Sequence, residues 1–283
     1  MAARLRTLPA AVAPVLVGTA LAIEHGDFDG FAFAAALLGA LFIQVGTNLS
    51  NDYSDARRGA DTEDRLGPVR VTAGGLVPPK QVLRATYITF GLAVLCGIYL
   101  IVVAGWVILA IGAASIVAGV LYTGGPRPYG YEGLGELFVF LFFGLVAVCG
   151  SYYVQVQELP WQAFVASVPV GLIAAAILIV NNVRDLETDR RAGKRTLAVR
   201  MGRARTRVFY AVVLAVAYLM LVPLAFGLTA WVLLSVLSIP LAVRLVQVVR
   251  TRTDGPALNG ALAGTGQLQL VFCVLLSVGI LLS

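Results

Sequence analysis

Charge is what this chain has least of. Only 13% of its 283 residues are Asp, Glu, Lys or Arg, 59% are hydrophobic, and the mean hydropathy is +0.88. A soluble protein of this length carries about a quarter charged residues. One aqueous core cannot hide so much apolar surface, so the chain reads as an all-α integral membrane protein. Histidine is nearly missing: His25 stands alone and has no second histidine with which to build a metal centre. The three cysteines, Cys96, Cys149 and Cys273, lie far apart in apolar segments without a CxxC, so neither a disulfide framework nor a zinc site is indicated. The net charge of +6 would suggest nucleic acid in a soluble protein. In a membrane protein the placement of the basic residues matters instead, and no nucleic-acid partner is expected.

What is present is a series of uncharged runs: 7–23, 30–51, 85–126, 137–157, 159–183, 208–243 and 255–283. A spanning helix needs roughly twenty mostly apolar residues. The runs 85–126 and 208–243 hold 42 and 36 residues, enough for two spans each, with Gly105 and Gly227 as turn points. The expectation is nine transmembrane helices in a single domain over 1–283. With the N-terminus inside, the inner tail and the four inner loops carry 2, 6, 1, 9 and 3 Lys or Arg, which accounts for all 21. The outer loops carry Glu24, Asp27, Asp29 and Glu158 and no basic residue. Such segregation predicts a multi-pass protein of the cell membrane with a cytoplasmic N-terminus and an outer C-terminus. Arg4 and Arg6, the following apolar run and Ala20-Leu21-Ala22 also have the form of a cleaved signal peptide, which would leave eight spans in the same orientation.

Two acidic motifs interrupt the pattern. NLSNDYSDARRGADT covers 48–62 at the inner end of predicted helix 2, and NNVRDLETDRRAG begins at 181, at the inner end of predicted helix 6. An even number of helices separates them, so both emerge on the same face. Each places an Asn four residues before an Asp, Asn51 with Asp55 and Asn181 with Asp185, and each runs on through Asp, two Arg and a Gly. This is a parallel internal repeat. Asn181, Asp185 and Asp189 follow i, i+4, i+8 spacing and fall within an arc of about 80°. Gly59 should end the first helix and let Asp61 fold back from the loop.

Carboxylate and amide oxygens suit Mg²⁺, which is usually held by one or two carboxylates together with substrate phosphates. Arg65, Arg70, Arg190, Arg191, Lys194 and Arg195 supply counter-charge for phosphate oxygens. A lone Asp at a helix end would be a solvated cap; two matched sets on one face point to a diphosphate site. A secondary transporter is the reading from another class. It would place its ion ligands near the midplane, whereas these carboxylates lie at the inner ends with a surplus of cations.

These motifs resemble the two aspartate-rich motifs of the UbiA superfamily of intramembrane prenyltransferases, over nearly the whole chain. RTLPAAVAPVLVGTALA at 6–22, NDYSDARRGADT at 51–62, GPVRVTAGGLV at 67–77, YTGGPRPYGYEGLGE at 122–136 and NNVRDLETDRRAGKRTLAVRMG at 181–202 carry the likeness, which is closest to the naphthoate-prenylating branch of menaquinone synthesis. The first stretch argues that helix 1 is retained. The resemblance implies a nine-helix bundle with a cytoplasm-facing cavity and the motifs on helices 2 and 6. It implies metal binding by Asn51, Asp55, Asp61, Asn181, Asp185 and Asp189, with the four aspartates catalytic and Mg²⁺ the cofactor. Tyr122, Arg127 and Tyr131 fall in the loop over the cavity and are expected, with Arg65, Arg70, Lys194 and Arg195, to hold the diphosphate. The implied reaction moves a polyprenyl group from an allylic polyprenyl diphosphate to 1,4-dihydroxy-2-naphthoate, with loss of CO₂ and diphosphate. Another acceptor such as 4-hydroxybenzoate is the alternative. Membrane lipid is the remaining partner; oligomeric state is not legible.

Overall fold

A computed structural model of the chain describes residue 4, residues 7–60 and residues 66–283. Among these residues there is no β-strand, and seven helices are long and apolar enough to cross a membrane. In chain order the apolar helices are α1 (Pro9–His25), α2 (Gly30–Arg57), α3 (Pro79–Ala104), α4 (Trp106–Leu121), α5 (Gly135–Val156), α6 (Trp161–Arg191), α7 (Arg203–Gly227), α8 (Ala230–Thr251) and α9 (Gly255–Leu281). The seven long ones exclude α1 and α4, which have 17 and 16 residues.

The two long uncharged runs break where glycine was expected to break them, for different reasons. Gly105 is the only residue between α3 and α4, and its φ of +80° is a backbone state that a side chain disfavours. Gly227 ends α7, but there the constraint is space: a Cβ would collide with the Trp161 ring at the start of α6.

The bundle has a dense half and a thin half. The largest buried cluster joins α1, α5, α6, α7, α8 and α9 around α6, whose Val170, Ile173, Ala176, Ile179, Val180 and Val183 are fully enclosed. Helix α1 belongs to this core, with Ala13, Val17 and Ala22 fully buried. Helices α2, α3 and α4 form a thinner wall with two small clusters, and α3 turns Tyr87, Ile88, Leu95 and Val102 outward. Outward apolar side chains are the normal state of a helix facing lipid. Glycines tighten selected contacts: Gly144 of α5 lies on Gly171 of α6, where an added Cβ would come within 2.7 Å of the Gly171 Cα. Gly119 of α4 lies on Thr47 of α2, whereas Gly112 meets nothing and borders open space. That space is the cavity between the two halves.

Candidate active site

The cavity measures about 530 Å³ and is lined by Arg4 and Thr7 ahead of α1, by α1 to α6, by the loops after α2, α4 and α6, and by one residue of α9. One end is polar: Asn51, Asp55, Asn181, Asp185 and Asp189 all line it. The other end is aliphatic, with Ile98, Ile101, Ile108, Ile111 and Ile116. Along α2 the lining runs from Ala36 to Asp55. Nineteen helical steps at 1.5 Å make that about 28 Å, close to the thickness of a bilayer's hydrocarbon core.

Both acidic helices end by the same local device. Helix α2 closes at Gly59 (φ +64°), where the Ala60 N–H donates to the Asp55 carbonyl at 3.0 Å. Helix α6 closes at Gly193 (φ +73°), where the Lys194 N–H donates to the Asp189 carbonyl at 2.9 Å. Left-handed glycine closures of this kind satisfy the last carbonyls of a helix. Their register pairs Asp55 with Asp189, so α6 carries its Asn-x3-Asp set one turn deeper than α2 does.

Around the first motif, the neighbours come from elsewhere in the chain. Asn51 Oδ1 accepts from the Thr123 hydroxyl at 2.9 Å. Asp55, 2% exposed, accepts from the Tyr131 hydroxyl at 2.6 Å through Oδ1, and meets Arg70 at 3.5 Å through Oδ2. Asp52, a residue the spacing did not single out, is equally buried and accepts the Val71 and Thr72 N–H groups at 3.2 and 2.9 Å. It pins the 67–77 loop that carries Arg70.

The second motif is satisfied mostly by its own helix. Arg184, 3% exposed, donates to both oxygens of Asp185 at 2.8 and 2.6 Å and to Asn181 Oδ1 at 2.8 Å. Its remaining terminal nitrogen donates to Asn259 of α9 at 2.8 Å, and Asn259 donates to the Leu66 carbonyl at 2.9 Å. Lys194 Nζ lies 3.5 Å from Asp189 and 4.7 Å from the centre of the Tyr131 ring, a cation–π distance. Nothing in the charge pattern separated Arg184 from the arginines that set topology. Only its position one residue before Asp185 was a hint.

The other expected residues divide. Arg70, Tyr122, Tyr131 and Lys194 line the cavity, and Arg4 joins them at the polar end. Arg127 and Arg195 are exposed and do not line it; Arg195 contributes its backbone N–H to the Tyr131 carbonyl at 2.7 Å. Arg190 and Arg191 are exposed too, and Arg190 pairs with Glu187 at 3.2 Å. Asp61 and Arg65 lie outside the described residues. Tyr122 follows α4; burial pushes its phenol up, and the charges of Glu136, Tyr129, Asp55 and Asp189 push it further, so it stays a neutral donor.

Among the described residues no three His, Cys, Asp or Glu side chains converge on one point. What the cavity offers instead is two sets of oxygen donors, Asn51 with Asp55 and Asn181 with Asp185 and Asp189. One or two carboxylates per ion, completed by substrate oxygens, is the usual holding of Mg²⁺. The donor chemistry therefore fits that metal.

The sequence profile of the UbiA prenyltransferase family matches residues 11–263. The chain belongs to the UbiA prenyltransferase family. This UbiA prenyltransferase is 42% identical to the 1,4-dihydroxy-2-naphthoate octaprenyltransferase of Mycobacterium tuberculosis over 272 residues, covering 96% of this chain and 92% of that one. It is 39% identical to the enzyme of the same name from Escherichia coli, over 99% of this chain and 94% of that one. The solved structure of a UbiA homolog from Archaeoglobus fulgidus bound to DMAPP and Mg²⁺ has the same fold, with a TM-score of 0.67 at 17% identity and 98% coverage of both chains.

Proposed function

We propose that the enzyme transfers a polyprenyl group from an allylic polyprenyl diphosphate to 1,4-dihydroxy-2-naphthoate, giving demethylmenaquinol. One observation carries this reading: a single cavity, about 28 Å long along α2, joins two oxygen-rich, cation-flanked motifs to an aliphatic end. A diphosphate joined to a long isoprenoid needs both ends at once, since burying its tail is worth about 0.8 kcal/mol per CH₂-sized unit. The naphthoate acceptor is supported by the names of relatives up to 42% identical over almost the full chain.

In this reading Asn51, Asp55, Asn181, Asp185 and Asp189 hold magnesium, together with Asp61 from the loop. When bound, Mg²⁺ supplies positive charge that grows in effect as the leaving diphosphate gains negative charge. Arg70 and Lys194 add donors to the phosphate oxygens, and the neutral Tyr122 hydroxyl can donate beside them, while Tyr131 gives its hydroxyl proton to Asp55 and holds that carboxylate in place. Arg127 and Arg195, exposed outside the lining, receive no role at the reacting atoms. As the carbon–oxygen bond breaks, its electron pair leaves with diphosphate, and the apolar walls keep water from the allylic cation. The ring carbon bearing the carboxyl group forms the new carbon–carbon bond. The carboxylate then departs as CO₂ and returns its bonding pair to the ring, so no net proton transfer is required.

Helices α1 and α4 are read as spans with the other seven, making nine in one prenyltransferase domain over 1–283. At 1.5 Å per residue they reach about 24–26 Å, short of the hydrocarbon thickness but within the range a bilayer accepts. The distribution of basic residues supports a cytoplasmic N-terminus and polar cavity end, with the C-terminus outside.

The test is turnover by purified protein with radiolabelled polyprenyl diphosphate, Mg²⁺ and a panel of aromatic acceptors. A lipid-soluble product with dihydroxynaphthoate, lost on EDTA treatment and restored by Mg²⁺, is expected. Product with 4-hydroxybenzoate alone would keep the chemistry and replace the acceptor. Undiminished turnover in EDTA would remove the metal assignment.

A further inference from the structure

Polarity runs deeper along α2 than the acidic motif does. Gln44, Asn48, Asn51 and Asp55 all line the cavity, and on a regular helix they share an arc of about 60°. Gln44 lies two helical turns beyond Asn51, about 10 Å farther from the carboxylates. It belongs to neither acidic motif, and nothing in the diphosphate chemistry uses it. An amide at that depth, 8% exposed, is costly unless its polar atoms are met.

Half of this amide is met. The Thr7 hydroxyl donates to the Arg4 carbonyl at 2.9 Å, so the Thr7 oxygen is left only to accept. It accepts from Gln44 Nε2 at 3.1 Å and from Asn48 Nδ2 at 3.2 Å. That commitment fixes how the Gln44 amide is turned, with its nitrogen to Thr7 and its carbonyl oxygen away from it. Among the described residues Gln44 Oε1 has no hydrogen-bond partner, yet it is not sealed in the core as the partnerless Oε1 of Gln269 is. It therefore keeps accessible surface. In a side chain that is more than nine-tenths buried and lines the cavity, that surface faces the cavity.

An amide oxygen turned into the cavity calls for a donor, and the reaction offers few. A metal-bound diphosphate presents oxygens that accept, and an isoprenoid presents only carbon and hydrogen. The phenolic hydroxyls of the aromatic acceptor are the donors that remain. In 1,4-dihydroxy-2-naphthoate the 1-hydroxyl stands beside the carboxylate and is drawn into a hydrogen bond with it. The 4-hydroxyl, away from the carboxylate, has a proton to offer.

We propose that Gln44 Oε1 accepts a hydrogen bond from the 4-hydroxyl of the acceptor ring, with Thr7 as the residue that orients the amide. Gln44 is then a specificity-determining contact for the acceptor. Tying the ring at that hydroxyl fixes which carbon faces the allylic group. The hydroxyl keeps its proton, so the stoichiometry of the transfer is unchanged. The inference rests on the naphthoate reading of the function.

The experiment uses the full-length protein in detergent and a matched pair of inhibitors, 2-naphthoate and 4-hydroxy-2-naphthoate, which differ only in the 4-hydroxyl. Each inhibition constant is measured against turnover in wild type, Gln44→Leu and Thr7→Val. Wild type should bind the hydroxylated analogue about fivefold more tightly, the value of one neutral hydrogen bond. Equal affinities, as ordered water at Oε1 would give, overturn the contact from wild type alone, even if neither variant folds. In Gln44→Leu the preference should vanish through weaker binding of 4-hydroxy-2-naphthoate, with 2-naphthoate and the KM for polyprenyl diphosphate unmoved. A retained preference, or a donor KM that rises in step, overturns the assignment. Thr7→Val lets the amide turn and should cut the preference to about twofold; an undiminished preference removes the orienting role. Wild-type protein that prenylates only a non-naphthalene acceptor fails the function reading itself. Turnover of dihydroxynaphthoate without the fivefold preference fails the Gln44 contact alone.

Discussion

The two acidic motifs look like copies of each other, yet they are held in opposite ways. The motif on α2 is completed from outside: Thr123 and Tyr131 reach it from the loop after α4, and Arg70 from the loop that Asp52 pins down. The motif on α6 is completed from inside, by an arginine of the same helix whose fork spans Asp185 and Asn181. The difference follows from depth and packing. Helix α6 lies at the centre of the dense half, where a carboxylate without a fixed partner would be costly, so its neutralising charge is adjacent in sequence. Helix α2 stands in the thin wall beside loops, where charge can be brought in by folding. One motif is preorganised by a helix; the other depends on loop closure.

Alanine at each central aspartate should break the comparison most strongly. We expect Asp55→Ala and Asp185→Ala each to lower turnover by about 100-fold or more, since in the proposed reading each removes a ligand of the magnesium that offsets the leaving group's charge. Their stabilities should diverge. Asp185→Ala leaves Arg184 buried without a carboxylate and should cost about 3–5 kcal/mol, whereas Asp55→Ala loses the Tyr131 hydrogen bond and a looser pair at 3.5 Å and should cost about 2 kcal/mol. Unfolding in detergent, followed by intrinsic fluorescence, reads the gap. Equal losses would mean that both motifs are held alike.

A smaller effect should come from Asp52→Asn, which replaces a carboxylate that accepts two backbone N–H groups. Loss of about 1–2 kcal/mol and roughly tenfold in turnover is expected, with the 67–77 loop nicked faster by protease. Normal turnover with a loosened loop would separate Arg70 from catalysis.

The smallest effect concerns the support behind the second motif. Asp254 caps α9, which carries Asn259 and so backs Arg184. The hydrogen bond from Arg252, with that from the Ala257 N–H, holds its carboxyl below the usual Asp range. A group depressed in the folded state adds stability that is complete above its unfolded value and lost as pH falls through the folded one. Amide-exchange protection at Ala257 should therefore fall on acidification below the ordinary Asp range. Asp254→Asn, which still caps, should show no such fall, and the end of α2 should not respond in either protein.

Much of the site was legible because its signals are local. Asn51, Asp55, Asn181, Asp185 and Asp189 share one cavity because helical spacing and span parity can be read from the order of residues. The left-handed closures at Gly59 and Gly193 are likewise local chemistry. Asp52 and Arg184 stood out far less, since each has a plain reading as one more charge near a helix end. Asp52 draws its partners from another segment, whereas Arg184 spans Asp185 and Asn181 of its own helix and reaches Asn259 of α9. Arg127 and Arg195 show the converse, because a charge in the right loop need not line the cavity.

By itself, then, the order of residues determined the membrane class, the parallel repeat and the chemistry of the oxygen donors, because hydrophobic run length, charge placement and i+4 spacing act over short distances. The tertiary structure alone decided which loop reaches which motif, that one cavity runs from carboxylates to isoleucines, and that Tyr122, Tyr129, Phe138 and Phe142 line it. Those are contacts between residues as far apart as Asn51 and Thr123 or Glu136 and Asn182. No local rule encodes them, because they depend on how whole helices pack.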